Sequence, residues 1–226
     1  MCRTMVEIKI APSMLSADFL NLGKDVAMVN EHADLFHLDV MDGTFVPNIS
    51  YGFPVVEAVA RQARRPLDVH LMIVHPEKYA EKFVRAGASM VSFHLEAVGS
   101  DSEADEILVG IRAAGAKAGL VINPDIPVER LFPHLGNADY FLIMSVFAGF
   151  GGQKFIPETY AKIRRLREYM EKAGTVRSIE VDGGVSKENV HALSEAGAEI
   201  FVAGSAIFRS ERPGDYIAQM RQLAIG

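Results

Sequence analysis

The strand that decides the fold reads HLDVMDG over residues 37–43. Apolar residues alternate there with three that carry functional groups: His37, Asp39 and Met41. Side chains of a strand alternate between its two faces, so one face is apolar and the other carries an imidazole, a carboxylate and a thioether. A carboxylate in a buried strand is costly unless a partner compensates it. A divalent cation and an ion pair within a core are both candidates for that partner.

Segments of this kind recur along the chain. Eight short apolar runs alternate with amphipathic runs at a spacing of roughly 25–30 residues, which is typical of strand–helix units. We predict strands at residues 6–12, 34–41, 66–73, 89–94, 117–123, 139–146, 177–182 and 199–204. We predict helices near residues 18–31, 53–63, 76–86, 102–114, 127–133, 158–173, 186–196 and 214–224. Predicted helix caps are Asp18 and Ser186 at N-termini and Gly87, Gly115 and Gly197 at C-termini.

The repeated units favour a closed (β/α)8 barrel, the TIM-barrel type of α/β fold, over an open doubly wound sheet. A doubly wound sheet more often has a glycine-rich turn after its first strand, whereas residues 11–14 read APSM. The length of 226 residues and the 49% of hydrophobic residues suit one such barrel. We therefore expect a single catalytic domain over residues 1–226.

Composition restricts the partners and the location. The net charge of −6 and the sequence pI near 5.7 argue against a nucleic-acid surface. The single cysteine, Cys2, excludes a disulfide within the chain and a thiolate metal cluster. Neither a membrane-spanning stretch nor the hydrophobic region of a signal peptide is recognisable. We expect a cytoplasmic protein that binds neither nucleic acid nor membrane.

Polar residues at the ends of the predicted strands form a candidate metal site. Barrel enzymes place their chemistry at the C-terminal ends of the strands. His37 and Asp39 lie there on strand 2, His70 on strand 3 and Asp182 on strand 7. Two imidazoles and two carboxylates, without sulfur, predict one divalent ion per chain and leave open the choice among Zn²⁺, Fe²⁺, Mn²⁺ and Co²⁺.

Other charged residues have the same strand parity but lie deeper. Asp68 and Glu180 are one layer below the candidate ligands, and Lys9 on strand 1 has matching parity. We predict a buried ion cluster of these three side chains with a structural role. His94, at the end of strand 4, is predicted to be a hydrogen-bonded lining of the barrel mouth.

Met41, Met72 and Met144 each lie near the end of a strand. They could simply fill gaps in the core, since methionine adapts to irregular space. Alternatively, they could form an aprotic wall beside a planar carbanionic intermediate. The sequence leaves both interpretations open.

Glycine-rich turns follow three adjacent strands late in the chain. They lie at residues 149–153, 183–184 and 204–205. Glycine lets the backbone approach an anion closely, and barrels often bind phosphate between the loops after strands 7 and 8. The three turns together predict a phosphate site.

Several of these segments together resemble the ribulose-phosphate 3-epimerase family. The matching segments are residues 11–18, 37–48, 68–72, 149–153 and 181–184. They run in one order and cover nearly the whole chain, from about Ile8 to about Phe208. The resemblance implies a ribulose-phosphate-binding barrel. It also implies a metal-dependent isomerase that interconverts D-ribulose 5-phosphate and D-xylulose 5-phosphate by proton transfer at C3 through a cis-enediolate.

The resemblance implies a role for each motif. The metal, usually zinc or iron, lies on the four candidate ligands, of which Asp39 accepts and Asp182 donates the proton in one direction. Ser13 and His70 contact the substrate, and Met41, Met72 and Met144 cap the intermediate. The phosphate is held by Gly149, Phe150, Gly151, Gly152, Gly183, Gly184, Gly204 and Ser205. A homo-oligomer, either a dimer or a hexamer, is also implied.

The chain departs from the family pattern after strand 6. The family usually reads Val-Asn-Pro-Gly or Val-Glu-Pro-Gly, and residues 146–149 here are Val-Phe-Ala-Gly. We expect this change to alter the stiffness and lining of the loop, and the substrate preference, more than the chemistry. A D-allulose-6-phosphate 3-epimerase is therefore the alternative, and it is supported by the sequence His-Ala-Asp at residues 32–34. The Asp-Gly-Gly at 182–184 favours the pentose phosphate.

Two other functions would require a different set of residues. A phosphate-binding decarboxylase of the keto-gulonate-phosphate type would carry Asp-x-Lys-x-x-Asp, but Met41 stands where the lysine would be. A non-enzymatic sugar-phosphate sensor would need the phosphate site without paired aspartates or metal ligands. The candidate ligands therefore favour an enzyme.

Overall fold

The structure is a computed structural model that describes residues 7–226. Cys2 and the first residue of the predicted strand 6–12 lie outside the described residues. Within the described part of the chain, eight parallel strands form one sheet in the order β1-β8-β7-β6-β5-β4-β3-β2. They are Lys9–Pro12 (β1), Phe36–Met41 (β2), Leu67–Met72 (β3), Met90–His94 (β4), Lys117–Ile122 (β5), Tyr140–Met144 (β6), Ser178–Asp182 (β7) and Ile200–Ala203 (β8).

The sheet closes on itself almost completely. Its two edge strands, β1 and β2, meet through one parallel bridge between Ser13 and His37. Each observed strand lies within the range predicted for it, and helices follow the strands around the outside. The predicted (β/α)8 barrel is therefore confirmed.

The helices are Leu22–His32 (α1), Phe53–Ala60 (α2), Ala80–Arg85 (α3), Asp101–Ala113 (α4), Thr159–Lys172 (α5), Val190–Ala196 (α6), Ser205–Phe208 (α7) and Pro213–Ile225 (α8). Short 3-10 helices cover Met14–Ser16, Pro76–Lys78, Leu95–Ala97 and Val128–His134. The predicted helix 127–133 is one of these 3-10 helices and contains Pro133, which cannot donate a backbone hydrogen bond. The short α7 was not predicted. Within residues 7–226, no helix is both long and apolar enough to cross a membrane.

The two predicted N-caps are wrong. Helix α1 begins after Asn21, and the Asp18 carboxylate instead accepts hydrogen bonds from the Leu20 amide (3.0 Å) and from Asn21 Nδ2 (2.7 Å). Helix α6 begins after Asn189, whose Oδ1 accepts from the Ser186 amide (2.9 Å). Both aspartate and serine stabilise turns as readily as helix starts, so a turn precedes each helix.

The predicted C-terminal glycines do adopt left-handed conformations. Gly197 is the C-cap of α6 with a φ of 115°. Gly87 and Gly115 follow the C-caps of α3 and α4, with φ of 110° and 100°. Positive φ is easily reached only by glycine, which explains why each helix stops there.

The barrel interior depends on one close approach between neighbouring strands. Gly119 on β5 faces the ring of Tyr140 on β6, and a methyl group at residue 119 would overlap that ring. Tyr140 is almost fully buried, and its hydroxyl donates to Asp68 Oδ1 at 3.0 Å. A glycine at residue 119 therefore makes room for the tyrosine that reaches Asp68.

We predict that Gly119→Ala lowers the free energy of unfolding by about 1–3 kcal/mol, the usual cost of overpacking a core. Chemical denaturation measures this change. Gly136→Ala is the matched control, because a methyl group there meets nothing within 4 Å, and it should change stability by less than about 0.5 kcal/mol. Equal stability of the two variants would contradict the tight packing around Tyr140.

Candidate active site

The candidate metal ligands meet at the C-terminal end of the barrel. One donor atom from each of His37, Asp39, His70 and Asp182 lies within 4.8 Å of the others. His37 Nε2 is 3.2 Å from Asp39 Oδ1 and 3.8 Å from Asp182 Oδ2. His70 Nδ1 is 3.2 Å and 3.7 Å from the same two oxygen atoms. The structure thus brings together all four side chains.

Strand register explains why these residues meet. In the parallel pair β2–β3, Asp39 lies opposite His70 and Met41 lies opposite Met72. In the pair β6–β7, Met144 lies opposite Asp182. Residues paired in register project to the same side of the sheet, here into the barrel mouth. Met41 and Met72 therefore lie one inward position beyond Asp39 and His70, and Met144 lies beside Asp182.

The surroundings of His37 fit a metal ligand. Its Nδ1 is 2.6 Å from Asp68 Oδ2, whereas its Nε2 has no hydrogen-bond partner among the described residues and faces the two aspartates. A carboxylate on one ring nitrogen and a free lone pair on the other is the usual arrangement of a metal-binding histidine. Two imidazole nitrogens and two carboxylate oxygens are a donor set that suits a divalent ion. The four side chains therefore form a buried group that could hold one.

The layer below differs from the prediction for Lys9. Lys9 Nζ lies 3.1 Å from Glu7 Oε2, with its side chain 30% exposed, so it does not join the two buried carboxylates. The Asp68 carboxylate bonds to His37 and to Tyr140, and Glu180 Oε1 is 3.3 Å from His37 Nδ1. A long lysine side chain at the open N-terminal end of the barrel reaches water more cheaply than it enters the core.

Burial and neighbouring charge shift the pKa values of Asp68 and Glu180 in opposite directions. Burial opposes ionisation of Asp68, but the charge and hydrogen bond of His37 outweigh it and lower the pKa of Asp68. Burial, together with the nearby Asp68 charge, raises the pKa of Glu180 well above its usual range. The pair therefore carries one negative charge, which is directed at His37.

The pKa values of the two aspartates in the ligand group are also shifted in opposite directions. Burial raises the pKa of Asp39, but His37 and His70 outweigh it and hold that pKa well below the usual range. Burial and then the Asp39 charge raise the pKa of Asp182 to about 7. Carboxyl groups with opposed pKa shifts in one site commonly serve as a proton acceptor and a proton donor.

The two histidines respond differently to burial. Burial lowers the pKa of His70 to about 4, so this imidazole is neutral at neutral pH and its lone pair can bind a cation. At His37, burial is outweighed by Asp39 and Asp68, which raise the pKa. A proton on His37 thus neutralises the carboxylates, and a divalent cation would compete with that proton.

Further side chains complete this polar layer. Ser13 Oγ donates to Asp39 Oδ2 at 2.5 Å, as its position at the end of β1 suggested. The amide of Asp39 donates to Tyr51 Oη at 3.0 Å. His94 is fully buried and hydrogen-bonded as predicted, with its Nε2 2.9 Å from His70 Nε2. No local sequence signal marks Tyr51, because it lies in the loop between β2 and α2, which folds back onto Asp39.

A pocket of about 280 Å³ opens onto these groups. Its wall includes the predicted residues Ser13, Asp39, Asp182, Met41, Met72, Met144, Gly149, Phe150, Gly151, Gly152, Gly183, Gly184, Gly204 and Ser205. His37 and His70 are fully buried behind the wall, so the expected contact between His70 and the substrate stays a prediction. The wall also contains Arg209, which the sequence analysis did not identify.

The glycine-rich turns lie where close backbone packing is needed. Gly183 and Gly184 have φ of 118° and 62°, and a methyl group on Gly184 would lie 2.7 Å from the Phe155 amide nitrogen. A methyl group on Gly204 would lie 2.6 Å from Ser16 Oγ. These turns bring backbone from the ends of β6, β7 and β8 to one side of the pocket, as the phosphate hypothesis requires.

Known proteins with similar sequences indicate the family to which this chain belongs. A model of the Ribulose-phosphate 3 epimerase family matches residues 9–208. The ribulose-phosphate 3-epimerase of Synechocystis sp. is 48% identical over 215 residues, which cover 95% of this chain and 93% of that protein. The Bacillus subtilis enzyme of the same name is 44% identical over 95% of this chain and 98% of its own length. The cytoplasmic isoform of ribulose-phosphate 3-epimerase from Oryza sativa subsp. japonica is 41% identical over 96% of this chain and 95% of its own length.

Solved structures share the fold at low sequence identity. A 3-hexulose-6-phosphate synthase matches with a TM-score of 0.69 and 18% identity, over 96% of this chain and 99% of that one. KGPDC from Streptococcus mutans matches with a TM-score of 0.70 and 11% identity, over 96% of this chain and 97% of that one. At such identity the likeness supports the barrel alone, because one fold serves many reactions. The family match and the curated relatives carry the assignment: this chain belongs to the ribulose-phosphate 3-epimerase family.

Proposed function

We propose that this chain is a metal-dependent ribulose-phosphate 3-epimerase, with residues 1–226 acting as one catalytic domain. It interconverts D-ribulose 5-phosphate and D-xylulose 5-phosphate by moving a proton at C3. The observation that carries the proposal is the pair Asp39 and Asp182, two carboxyl groups that lie beside His37 and His70 on the wall of one pocket. The family membership supports the same reaction.

The metal would be held by His37 Nε2, His70 Nδ1 and one oxygen atom from each aspartate. Zn²⁺ or Fe²⁺ suits this donor set best, and Mn²⁺ or Co²⁺ is also compatible with it. When bound, such an ion supplies Lewis-acid stabilisation of the negative charge that develops on the substrate oxygen atoms. The Asp68 carboxylate on His37 Nδ1 keeps the opposite ring nitrogen free for this purpose.

The two aspartates move the proton. Asp39, which is ionised at neutral pH, accepts the C3 proton from one face of the sugar, and a cis-enediolate forms. Asp182, whose pKa burial and the Asp39 charge raise to about 7 in the metal-free site, delivers a proton to the other face. The roles exchange when the reaction runs in reverse. Ser13 fixes one Asp39 oxygen by its hydrogen bond and so orients the base.

The remaining pocket wall protects and anchors the substrate. Met41, Met72 and Met144 present thioethers, which cannot donate a proton to the planar intermediate. The glycine-rich turns at 149–152, 183–184 and 204–205 would hold the phosphate through backbone N–H groups. A homo-oligomer and a cytoplasmic location also belong to this proposal, and one plant relative is named a cytoplasmic isoform.

A turnover assay on two sugar phosphates tests the function. We expect a higher kcat/KM on D-ribulose 5-phosphate than on D-allulose 6-phosphate, because the Asp-Gly-Gly pattern at 182–184 matches the pentose enzyme. Asp39→Asn, purified identically, controls for host enzyme and should lose about 10²–10⁴-fold in rate. Preference for the hexose phosphate would favour a D-allulose-6-phosphate 3-epimerase, and turnover of neither compound would contradict an epimerase.

Metal content tests the ligand assignment. We predict about one divalent ion per chain, and we predict that His37→Ala weakens metal binding by at least about 10–100-fold, the loss seen even for outer residues of metal sites. Elemental analysis and the metal-dependent rise in Tm measure binding independently of turnover. His191→Ala is the control, because His191 is exposed and lies near Glu195 on α6. Full activity in metal-free protein would refute the site.

A further inference from the structure

The loop after β6, residues 147–153, is here termed the strand-6 loop, and it crosses the mouth of the barrel. The amide of Ala148 donates to Asn123 Oδ1 at 3.1 Å, at the end of the neighbouring strand β5. On the far side, Asn48 Nδ2 donates to the Gly149 carbonyl at 2.9 Å. Asn48 belongs to the segment after β2, which lies opposite β6 in the barrel. Two asparagines thus hold consecutive loop residues from opposite sides.

The orientation of the Asn123 amide is fixed by its other partner. Its Nδ2 donates to Glu96 Oε1 at 2.9 Å, and its backbone amide donates to the same oxygen at 3.0 Å. An ionised carboxylate can only accept hydrogen bonds, so the NH2 group must face Glu96. The amide oxygen is therefore left to face the Ala148 N–H.

The backbone around Asn123 is also tied down. Lys162 Nζ, from α5, donates to the carbonyl of Asn123 at 3.2 Å and to that of Pro124 at 2.6 Å. Asn123 is therefore held by Glu96, from the 3-10 helix after β4, and by Lys162 from α5. These bonds fix the position from which its side chain contacts the loop.

Ala148 also contacts both parts of the methionine wall, which is formed by Met41, Met72 and Met144. The partly buried Ala148 side chain packs against the group containing Met41 and Met72 and also against the group containing Met144. It therefore joins the two halves of the wall. Movement of the strand-6 loop away from Asn123 would separate them.

The bond depends on the residue by which this chain departs from the usual family pattern. A proline at residue 148 would have no N–H to donate to Asn123. With alanine at this position the loop lacks the stiffness of a proline ring, and the hydrogen bond to Asn123 restrains it instead.

We propose that Asn123 and Asn48 are positioning residues that form a two-sided latch, holding the strand-6 loop across the pocket and thereby retaining the sugar phosphate. The consequence for the substrate rests on the proposed function. The latch itself is a property of the chain that needs no turnover to be observed.

Amide hydrogen exchange on the whole protein tests the latch. In Asn123→Ala, exchange of the Ala148 amide should accelerate by roughly two- to tenfold, as expected for the loss of one hydrogen bond. Because Asn123→Ala also removes the side-chain amide that donates to Glu96, Asn48→Ala provides a second variant that leaves β5 untouched. It should accelerate exchange across the strand-6 loop. Asn137→Ala is the control, since Asn137 precedes β6 at the opposite end of the barrel.

Kinetics then separate positioning from a general loss of structure. We expect KM for ribulose 5-phosphate to rise by roughly two- to tenfold in each asparagine variant, with a smaller change in kcat and an unchanged Tm. Because both bonds hold one loop, the double variant should differ from the sum of the single effects. Unchanged exchange in the strand-6 loop, or faster exchange with an unchanged KM, would overturn the proposal. If the wild-type protein turned over neither sugar phosphate, the proposed function would fail, and exchange alone would still decide whether the latch exists.

Discussion

The carboxylate of Asp39 is buried at the end of β2, and its neighbours are arranged to compensate its charge. His37 and His70 lie at 3.2 Å, and Ser13 donates a hydrogen bond to the second oxygen. An unpaired buried charge would destabilise the barrel by several kcal/mol, so the residues around it are not free to vary independently. The pKa of Asp182 follows from the same constraint, because two carboxylates this close cannot both be ionised cheaply.

The constraint extends to the layer beneath. His37 can face the aspartates with a free nitrogen only because Asp68 holds its other nitrogen, and Asp68 is held in turn by Tyr140. Tyr140 fits only because Gly119 leaves space on the neighbouring strand. The metal-ligand group at the barrel mouth therefore depends on the hydrogen bonds of Asp68, and these depend on the packing of Tyr140 against Gly119.

Much of this arrangement could be predicted from strand parity. Because parallel strands in register point alternate residues inward, the positions of His37, Asp39, His70 and Asp182 along their strands were enough to place them on the inward face near the barrel mouth. The prediction that Lys9 joins the buried carboxylates was wrong, because strand parity gives the side that a residue faces but not whether a long side chain reaches water. Contacts between distant segments, such as Tyr140 with Asp68 or Asn123 with Ala148, leave no periodic trace in the sequence. The N-cap errors at Asp18 and Ser186 arose because turns and helix starts use the same residue types.

The claim that two carboxyl groups work on opposite faces of one carbon is tested most directly by proton exchange in heavy water. Asp182→Asn should exchange the C3 proton of one epimer without inverting it, because only Asp39 remains as a base. Asp39→Asn should exchange the proton of the other epimer. Metal content is measured beside the rates, because each aspartate is also a candidate ligand. Exchange of the same epimer by both metal-containing variants, or inversion by either at near the wild-type rate, would contradict the account.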